Sequence, residues 1–324
     1  MDTKRKYQQY NPWPDGKYPQ VLFILDTCNN FERDLLKGWI ESHKQHRGAA
    51  AKTVCIDLRD DHRSIDSALL VKALALPVDA VVAPLRIAWL PSQESIHSGP
   101  RMRDLIFGDP RHPSPRRGRK ILRTAPQRMH LLSGKPDSVT NLYARFELHQ
   151  KIDNSDMQRD FADFVARQAS VVLDLAERRL QGGRYKVPRH VAANLMASNS
   201  YNDALDTLSA ESGIAKTQLV KEASGYLNEM VSRPSMFWLD VYAKFNKFCL
   251  GLGYEADIVC DQEAVEKLRQ IVREYPSMLL WTHKTYLDGM VLPKLLYDND
   301  FPMPHIFGGA NLNFPGLGFL LHRS

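Results

Sequence analysis

A histidine and an aspartate five positions apart, His283 and Asp288, are the residues of this sequence best suited to acid–base chemistry. A histidine whose ring is oriented and charge-stabilised by a carboxylate is a general base that takes a proton from an alcohol. Residues five apart on one continuous helix point well away from each other. If His283 lies in a turn and Thr285 caps the helix that follows, the Asp288 carboxylate can reach back to the imidazole.

The same spacing also has a purely structural interpretation. Asp288 can complete a Thr-x-x-Asp capping box with Thr285, and His283 can be an ordinary turn residue. In a chain with 11 histidines, one chance His-x4-Asp match is expected roughly half the time. Spacing alone leaves both interpretations open.

The residues around this pair predict the elements that position it. Met278–Trp281 is an apolar run typical of a short buried strand, and Thr285–Tyr297 has the pattern of a helix. Pro293 falls inside that predicted helix, where we expect it to kink or shorten the helix.

A more specific pattern follows the pair. Pro304-His305 comes after the predicted helix, and Gly309-Ala310-Asn311-Leu312-Asn313-Phe314 comes next. In this order the elements resemble the first conserved block of glycerol-3-phosphate acyltransferases, most closely the large bacterial PlsB type. A looser resemblance extends upstream, through 101–142 and through the segment that ends at Arg233–Trp238.

The resemblance implies an acyltransferase of phospholipid (CDP-diacylglycerol) synthesis. His283 would take the proton of the sn-1 hydroxyl of glycerol-3-phosphate, and Asp288 would fix the imidazole tautomer. The acyl donor would be a thioester of coenzyme A or acyl carrier protein. Because a thioester is already activated, no metal or other cofactor is expected.

Two alternatives stay open. One is a dihydroxyacetone-phosphate or lysophosphatidate acyltransferase, against which the Asn-Leu-Asn-Phe segment argues. The other is a non-catalytic regulatory protein that binds anionic surfaces.

The resemblance also concerns what lies beyond Ser324. In the family, a Phe-Ile-Arg-Arg block that helps to bind the phosphate follows within a few residues, and it has no copy in 1–324. We therefore expect the N-terminal portion of an acyltransferase, cut inside its catalytic domain and inactive by itself. Its substrate-binding residues are unknown at this stage.

Segment 101–128 concentrates the positive charge of the chain. It holds eight arginines and Lys120 against Asp104 and Asp109, a local charge of +7 in a chain of net charge +6. Its prolines and Gly118 predict a loop. This basic loop could be a solvated surface whose arginines pair with nearby acids, or could bind anionic lipid or coenzyme A phosphates. Nucleic acid is not expected, because no recognition motif accompanies the charge.

The remaining sequence predicts a mixed α/β fold in three regions. Region 1–150 has strands at Val21–Asp26, Thr53–Leu58 and Ala80–Trp89, with helices between them. Region 151–275 is helical, with one long helix that ends at Gly182-Gly183. Region 276–324 is the start of the α/β catalytic domain. Asp26 and Asp57, at strand ends, could line a site or cap the following helices, and we favour capping.

Membrane contact without a membrane span is expected. No run of about 18 apolar residues occurs, and the first residues lack the apolar core of a signal peptide. The four cysteines have no metal-binding spacing and fit free thiols in a reducing cytosol. Together with the amphiphilic substrates, these features predict a peripheral protein on the cytoplasmic face of the cell membrane.

Overall fold

A computed structural model gives the chain as two compact units. The first comprises Met1–Ser92, Arg103–Leu180 and His190–Asn228, and the second comprises Gln93–Met102, Gln181–Arg189 and Glu229–Ser324. The predicted mixed α/β class is confirmed, whereas the division at residues 150 and 275 stays a prediction. The structure describes residues 10–16, 18–44, 52–59, 67–75, 80–92, 100–149, 157–185, 191–232, 235–255, 258–275, 277–282, 284–285, 287–304 and 317–323.

A twisted mixed sheet forms the centre of the first unit. Its strands are β1 (Gln20–Thr27), β2 (Lys52–Arg59), β3 (Ala80–Trp89), β4 (Met129–Ser133) and β5 (Asp137–Ser138). The order is β2-β1-β3-β4, with β5 beside β3; β1 is parallel to β2 and β3, while β4 and β5 run antiparallel to β3. The three strands predicted from apolar, β-branched runs are confirmed.

Helices connect the strands of this unit and continue beyond them. They are α1 (Asn30–Lys44), α2 (Ser67–Leu74), α3 (Met102–Phe107), α4 (Pro115–Thr124), α5 (Val139–His149), α6 (Met157–Gln181), α7 (Val191–Met196), α8 (Asn199–Ser212) and α9 (Lys216–Met230). Helix α6 ends directly before Gly182, whose φ of 101° is a conformation suited to glycine, so the predicted stop is confirmed.

The sheet carries a hydrophobic core on each face. Phe23 and Leu25 of β1 pack with Trp39 of α1 on one face. Leu22 and Ile24 point to the other face and pack with residues of α2, α5 and α6. Since successive side chains of a strand alternate between faces, this burial on both sides explains why β1 is an almost continuous apolar run.

The α-helices in the described part of the second unit follow. They are α10 (Met236–Gly251), α11 (Gln262–Glu274), α12 (Asp288–Asp298) and α13 (Leu317–Arg323). Asp261 accepts hydrogen bonds from the backbone N–H groups of Glu263 (2.9 Å) and Ala264 (3.2 Å), and so caps α11. Among the helices in the described ranges, none combines the length and apolar composition that a membrane crossing requires.

The predicted strand at Met278–Trp281 is wrong. These residues form no strand, and the side chains of Met278 and Leu280 are 78% and 87% exposed. A strand needs a neighbour to pair its backbone groups, and the described residues of the second unit contain no other strand. An apolar run predicts burial but does not provide that neighbour.

The predicted loop at 101–128 is also wrong, because α3 and α4 occupy most of it. Ser114 accepts a hydrogen bond from the N–H of Arg117 and Pro115 follows it, which is a typical helix start. The prolines that suggested a loop lie between the two helices and at the first position of α4.

A buried arginine, Arg86 of β3, ties the sheet to α6. Its Nε donates to Asp26 at 2.9 Å, and its Nη1 donates to Asp174 at 2.6 Å and Glu177 at 2.8 Å. Burial by itself would lower the pKa of Arg86, but the three acidic charges raise it well above its usual value. Asp26 therefore forms an ion pair rather than a helix cap, and Asp57 likewise pairs with Arg33 of α1 at 3.3 Å.

Replacing Arg86 with methionine should cost about 3–5 kcal/mol of unfolding free energy, because it leaves buried carboxylates without their cation. Arg33→Met is the matched control, since the Arg33–Asp57 pair is partly exposed and should be worth about 1 kcal/mol or less. Urea unfolding followed by circular dichroism measures both. Equal losses of unfolding free energy in the two variants would show that Arg86 does not make the main ion-pair contribution to the stability of the first unit.

Candidate active site around Asp288

Asp288 closes the turn that leads into α12. Its Oδ2 accepts hydrogen bonds from the backbone N–H groups of Lys284 at 2.7 Å and Thr285 at 3.0 Å. The Thr285 hydroxyl lies 3.5 Å from Oδ1, and the N–H of Asp288 donates to the Thr285 carbonyl at 3.2 Å. The carboxylate is therefore held directly over the residues that follow His283.

The predicted capping box forms only in part. The bond from the Thr285 N–H to the Asp288 side chain is one half of that motif. The helix itself begins at Asp288, with Leu287 as its N-cap, three residues later than predicted. Thr285 thus belongs to the preceding turn and not to the helix.

His283 lies outside the described residues, so its predicted pairing with Asp288 stays a prediction. The geometry of Asp288 is compatible with that role. A carboxylate offers about four acceptor positions, and two backbone bonds at Oδ2 do not exhaust them. The N-terminus of a helix also favours the ionised carboxylate that an imidazole partner requires.

Pro293 was predicted to kink or shorten the helix. It lies inside α12, yet the helix continues to Asp298, so a shortening does not occur and a kink stays a prediction. Proline has no N–H, and the carbonyl four residues earlier, that of Gly289, loses its helical donor. The hydroxyl of Tyr242 on α10 donates to this carbonyl at 3.2 Å. A side chain from a second helix thus replaces the missing bond, one residue after Asp288.

The environment of Tyr242 keeps its hydroxyl protonated. Burial raises its pKa, and the side chain of Asn246, one turn later on α10, opposes that rise only in part. Asn246 is fully buried, and its amide atoms make no hydrogen bond of good geometry in the described part of the chain. Tyr242 therefore remains a donor to Gly289 across the physiological pH range.

The far end of α12 is held by a second aspartate. Asp300 accepts hydrogen bonds from the N–H groups of Gly183 (3.1 Å) and Arg184 (3.2 Å) and from Nε of Arg184 (3.0 Å). Partial burial would raise the pKa of Asp300, but these bonds and the Arg184 charge lower it below its usual value. Arg184 also lies over the Tyr297 ring at 4.6 Å, and the Tyr297 hydroxyl donates to buried Asp240 at 2.6 Å.

One sequence signal for this anchor exists, in the glycine pair after α6. A Cβ on Gly183 would lie 2.9 Å from the Asp300 carbonyl oxygen, so the close approach requires glycine there. Sequence reasoning took the pair only as the end of a helix. Its second role became visible only with the position of Asp300.

A cavity of about 140 Å³ lies beside the Asp288 turn. Leu287, the residue before Asp288, forms part of its wall together with Leu250, Tyr254, Glu255, Ile258 and Val291. The lining is mainly apolar, which suits a hydrocarbon group. Across the described ranges, no cluster of three or more His, Cys, Asp or Glu side chains could hold a metal ion.

Tyr242→Phe should lower the unfolding free energy by about 1–3 kcal/mol, because the Gly289 carbonyl loses its donor inside the protein. It should also reduce hydrogen-exchange protection of the amides in α12. Tyr275→Phe is the matched control, since that side chain is 64% exposed, and should change stability by about 0.5 kcal/mol or less. Unaltered protection of α12 in the Tyr242 variant would contradict the proposed compensation for Pro293.

Comparison with known proteins points to one class of enzyme. The chain is 30% identical over 130 residues to proteins of Mycobacterium tuberculosis and Mycobacterium bovis named "Putative acyltransferase plsB1". It is also 30% identical over 139 residues to the mouse "Dihydroxyacetone phosphate acyltransferase". No family model and no solved structure matches the chain.

These matches cover a limited part of each protein. Each includes 40% of this chain but only 20% of the mycobacterial proteins and 19% of the mouse protein. The matching stretch thus spans about a fifth of the length of these curated relatives. Relatives of both kinds are acyltransferases by name, and the predicted relationship to acyltransferases of the glycerol-3-phosphate acyltransferase type is confirmed.

Proposed function

We propose that the protein is a glycerol-3-phosphate O-acyltransferase. It transfers a fatty acyl group from a thioester of coenzyme A or acyl carrier protein to the sn-1 hydroxyl of glycerol-3-phosphate, in phospholipid synthesis. The 30% identity to two kinds of curated acyltransferase carries this proposal. The ordered block from His283 to Phe314 supports it.

In the proposed mechanism, His283 takes the proton of the sn-1 hydroxyl while the oxygen attacks the thioester carbonyl. A carbon–oxygen bond forms, the carbon–sulfur bond breaks, and the departing thiolate receives the proton from the imidazolium. Asp288 orients the imidazole and stabilises its charged form. The two backbone bonds at Asp288 Oδ2 support this role, because they prevent the carboxylate from turning away from the 284–288 turn.

Dihydroxyacetone phosphate is a second candidate for the acyl acceptor. The mouse relative is named for dihydroxyacetone phosphate, and its identity to the chain equals that of the mycobacterial relatives. The two acceptors differ only at the second carbon, which carries a hydroxyl in one and a carbonyl in the other. Offering each acceptor, and lysophosphatidate as a third, with palmitoyl-coenzyme A or palmitoyl-acyl carrier protein decides the substrate from the labelled product.

His283→Ala should lower kcat by at least about 100-fold, the range expected for loss of a general base. The assay follows labelled glycerol-3-phosphate into lysophosphatidate with the product of the complete reading frame that encodes residues 1–324; residues 1–324 alone are expected to give no product. His322→Ala is the control, because this histidine lies outside the His-x4-Asp pattern. Undiminished turnover by a folded His283 variant would remove this residue from the mechanism.

Asp288→Asn separates the catalytic role of Asp288 from its structural role. Asparagine retains an oxygen that can accept the Lys284 and Thr285 N–H groups, but it lacks the negative charge. We expect kcat to fall at least about tenfold while the melting temperature changes little, since the imidazolium loses its partner. A lower melting temperature with kcat preserved would assign Asp288 to turn closure alone. Asp34→Asn is the control, because the Asp34 side chain on α1 is 73% exposed.

We further propose that an apolar and basic surface of the first unit attaches the protein to the cytoplasmic face of the membrane. The side chains of Leu105, Ile106 and Phe107 at the end of α3 are 48%, 75% and 72% exposed. Exposed basic residues of α4 follow: Arg116, Arg119, Lys120 and Arg123. Apolar side chains flanked by cations are typical of surfaces that bind anionic lipid.

Not every arginine of this segment belongs to that surface. Arg117 donates to buried Asp104 at 2.7 Å and to the Gly108 carbonyl at 2.8 Å, and thereby holds α4 to the end of α3. Its charge is used inside the protein. A variant that tests membrane binding should therefore leave Arg117 in place.

Neutralising the four exposed α4 cations should weaken binding to phosphatidylglycerol vesicles at low salt, by up to about 1 kcal/mol per charge near the surface. Ile106→Ser should weaken binding at any salt concentration, because apolar insertion is not screened. The control removes the same net charge at exposed positions elsewhere in the first unit: Lys37, Arg159, Arg179 and Lys221. If the α4 variant and the control variant lose equal vesicle affinity, binding depends on net charge alone. If neither loses affinity, this surface does not bind the membrane.

A further inference from the structure

A thiol and an imidazole meet in the first unit, away from Asp288 in the sequence. The Sγ of Cys28 lies 3.3 Å from Nδ1 of His112, and both residues are exposed. A cysteine beside a histidine is a pattern of nucleophilic sites, because the imidazolium stabilises the thiolate and can return a proton. The acyltransferase mechanism proposed above uses neither residue.

Backbone contacts fix this juxtaposition on both sides. The Asn29 side chain, directly before α1, donates to the Pro113 carbonyl at 3.3 Å and accepts from the Glu32 N–H at 3.1 Å. The His112 N–H donates to the Asp109 carbonyl at 3.1 Å, which closes a tight turn. The histidine turn is thus fastened to the start of the helix that follows Cys28.

The topology of the sheet places Cys28 where α/β folds often form sites. β1 lies between β2 and β3, and the connecting helices α1 and α2 pack on opposite faces of the sheet. The carboxyl end of β1 is therefore the point at which the winding reverses, and ligands of open α/β sheets bind outside such a point. Cys28 is the first residue after β1.

The charges around the thiol act in both directions. His112 and the N-terminus of α1 favour the thiolate, as does the positive charge of the 101–128 segment that contains His112. Glu32 opposes it: its carboxylate accepts the Cys28 N–H and the Trp89 indole N–H, both at 2.8 Å. Burial raises the pKa of Glu32, while its hydrogen bonds to Cys28 and Trp89 and the charge of His112 act to lower it.

We propose that Cys28 is an activated thiol that exchanges with anionic small-molecule disulfides. The Cys28 thiolate attacks one sulfur of the disulfide, a new sulfur–sulfur bond forms, and the original one breaks. The departing thiolate takes the proton of the His112 imidazolium, so that the products are a mixed disulfide at Cys28, a free small thiol and a neutral imidazole. The exposed cations of α4, among them Arg119 at 5.2 Å from the centre of the Phe31 ring, favour a negatively charged reagent.

The mixed disulfide should persist in the first unit rather than be displaced by Cys55. Cys55 lies on β2 directly opposite Phe23 of β1. Phe23 is five residues before Cys28 in the chain. At about 3.3 Å per strand residue, the two cysteines are about 16 Å apart along the strand direction. Disulfide formation requires Cα atoms within about 7 Å.

The test uses two disulfides of opposite design on the native protein. One is the dianionic 5,5′-dithiobis(2-nitrobenzoate), and the other is neutral 2-hydroxyethyl disulfide. Rates are measured from pH 5 to 9 at low and high salt, and mass spectrometry identifies the modified cysteine. We expect Cys28 to react first with both reagents, with a midpoint at least about one pH unit below the 8.5 of an ordinary thiol. Salt should slow only the anionic reagent.

Two variants test whether the disulfide exchange depends on Cys28 and His112. Cys28→Ser should abolish the fast phase, and His112→Gln should raise the pH midpoint by about one unit and slow the reaction at pH 6 several-fold. His322→Gln is the control for loss of a histidine, and thermal unfolding establishes that each variant is folded. Another cysteine reacting first, a midpoint near 8.5, or a midpoint unaffected by His112→Gln would each overturn the proposal. Equal salt dependence of the two reagents would overturn the preference for anions.

Discussion

The contact between Arg86 and its three carboxylates determines how the first unit is assembled. Arg86 stands on β3, Asp26 on β1, and Asp174 and Glu177 on α6, so one guanidinium joins two strands and a long helix. The cost of burying these charges is offset only when the geometry satisfies all of them at once. The network thereby fixes the carboxyl ends of β1 and β3, and Cys28 and Trp89 lie at these ends. Placement of the thiol beside His112 depends on this arrangement.

In the second unit, whose described part contains no sheet, polar contacts fix helix α12 in place. Helix α12 would be weakened by Pro293, but three polar contacts, at its start, at its proline and after its end, hold it to neighbouring segments. Tyr242 supplies the donor that proline lacks, Asp288 closes the entering turn, and Asp300 binds the backbone of Gly183 and Arg184. Each contact satisfies a backbone group that would otherwise stand alone at a helix end or at a proline. The proline is thus tolerated because the Tyr242 hydroxyl on α10 replaces the hydrogen bond that it removes.

Local signals in the sequence predicted most elements and failed where the outcome depended on a distant partner. The end of α6 was predicted correctly because its signal, the Gly182-Gly183 pair, directly follows the helix in the chain. Met278–Trp281 was expected to be a buried strand, but no neighbouring strand is found in the described part of its unit. Segment 101–128 was taken as a loop because of its prolines and Gly118, whereas in the structure Pro115 occupies the first turn of a helix that Ser114 caps. The candidate site divides in the same way: motif spacing identified His283 and Asp288, whereas Tyr242 contacts Gly289 from 47 residues away and Arg184 contacts Asp300 from 116.

The basic segment shows why composition alone cannot assign a role to charge. Its arginines share one sign and one stretch of sequence, yet Arg117 neutralises buried Asp104, while Arg116 and Arg123 face solvent. His112, in the same stretch, meets a thiol 84 residues earlier in the chain. Only the exposed cations can attract an anionic surface, so the attraction is smaller than the local charge of +7 implies. Neighbouring residues of this segment therefore have different roles. Arg117 pairs inside the protein, Arg116 and Arg123 attract anions at the surface, and His112 contacts the Cys28 thiol. Burial by α3 and α4 decides which residue has which role.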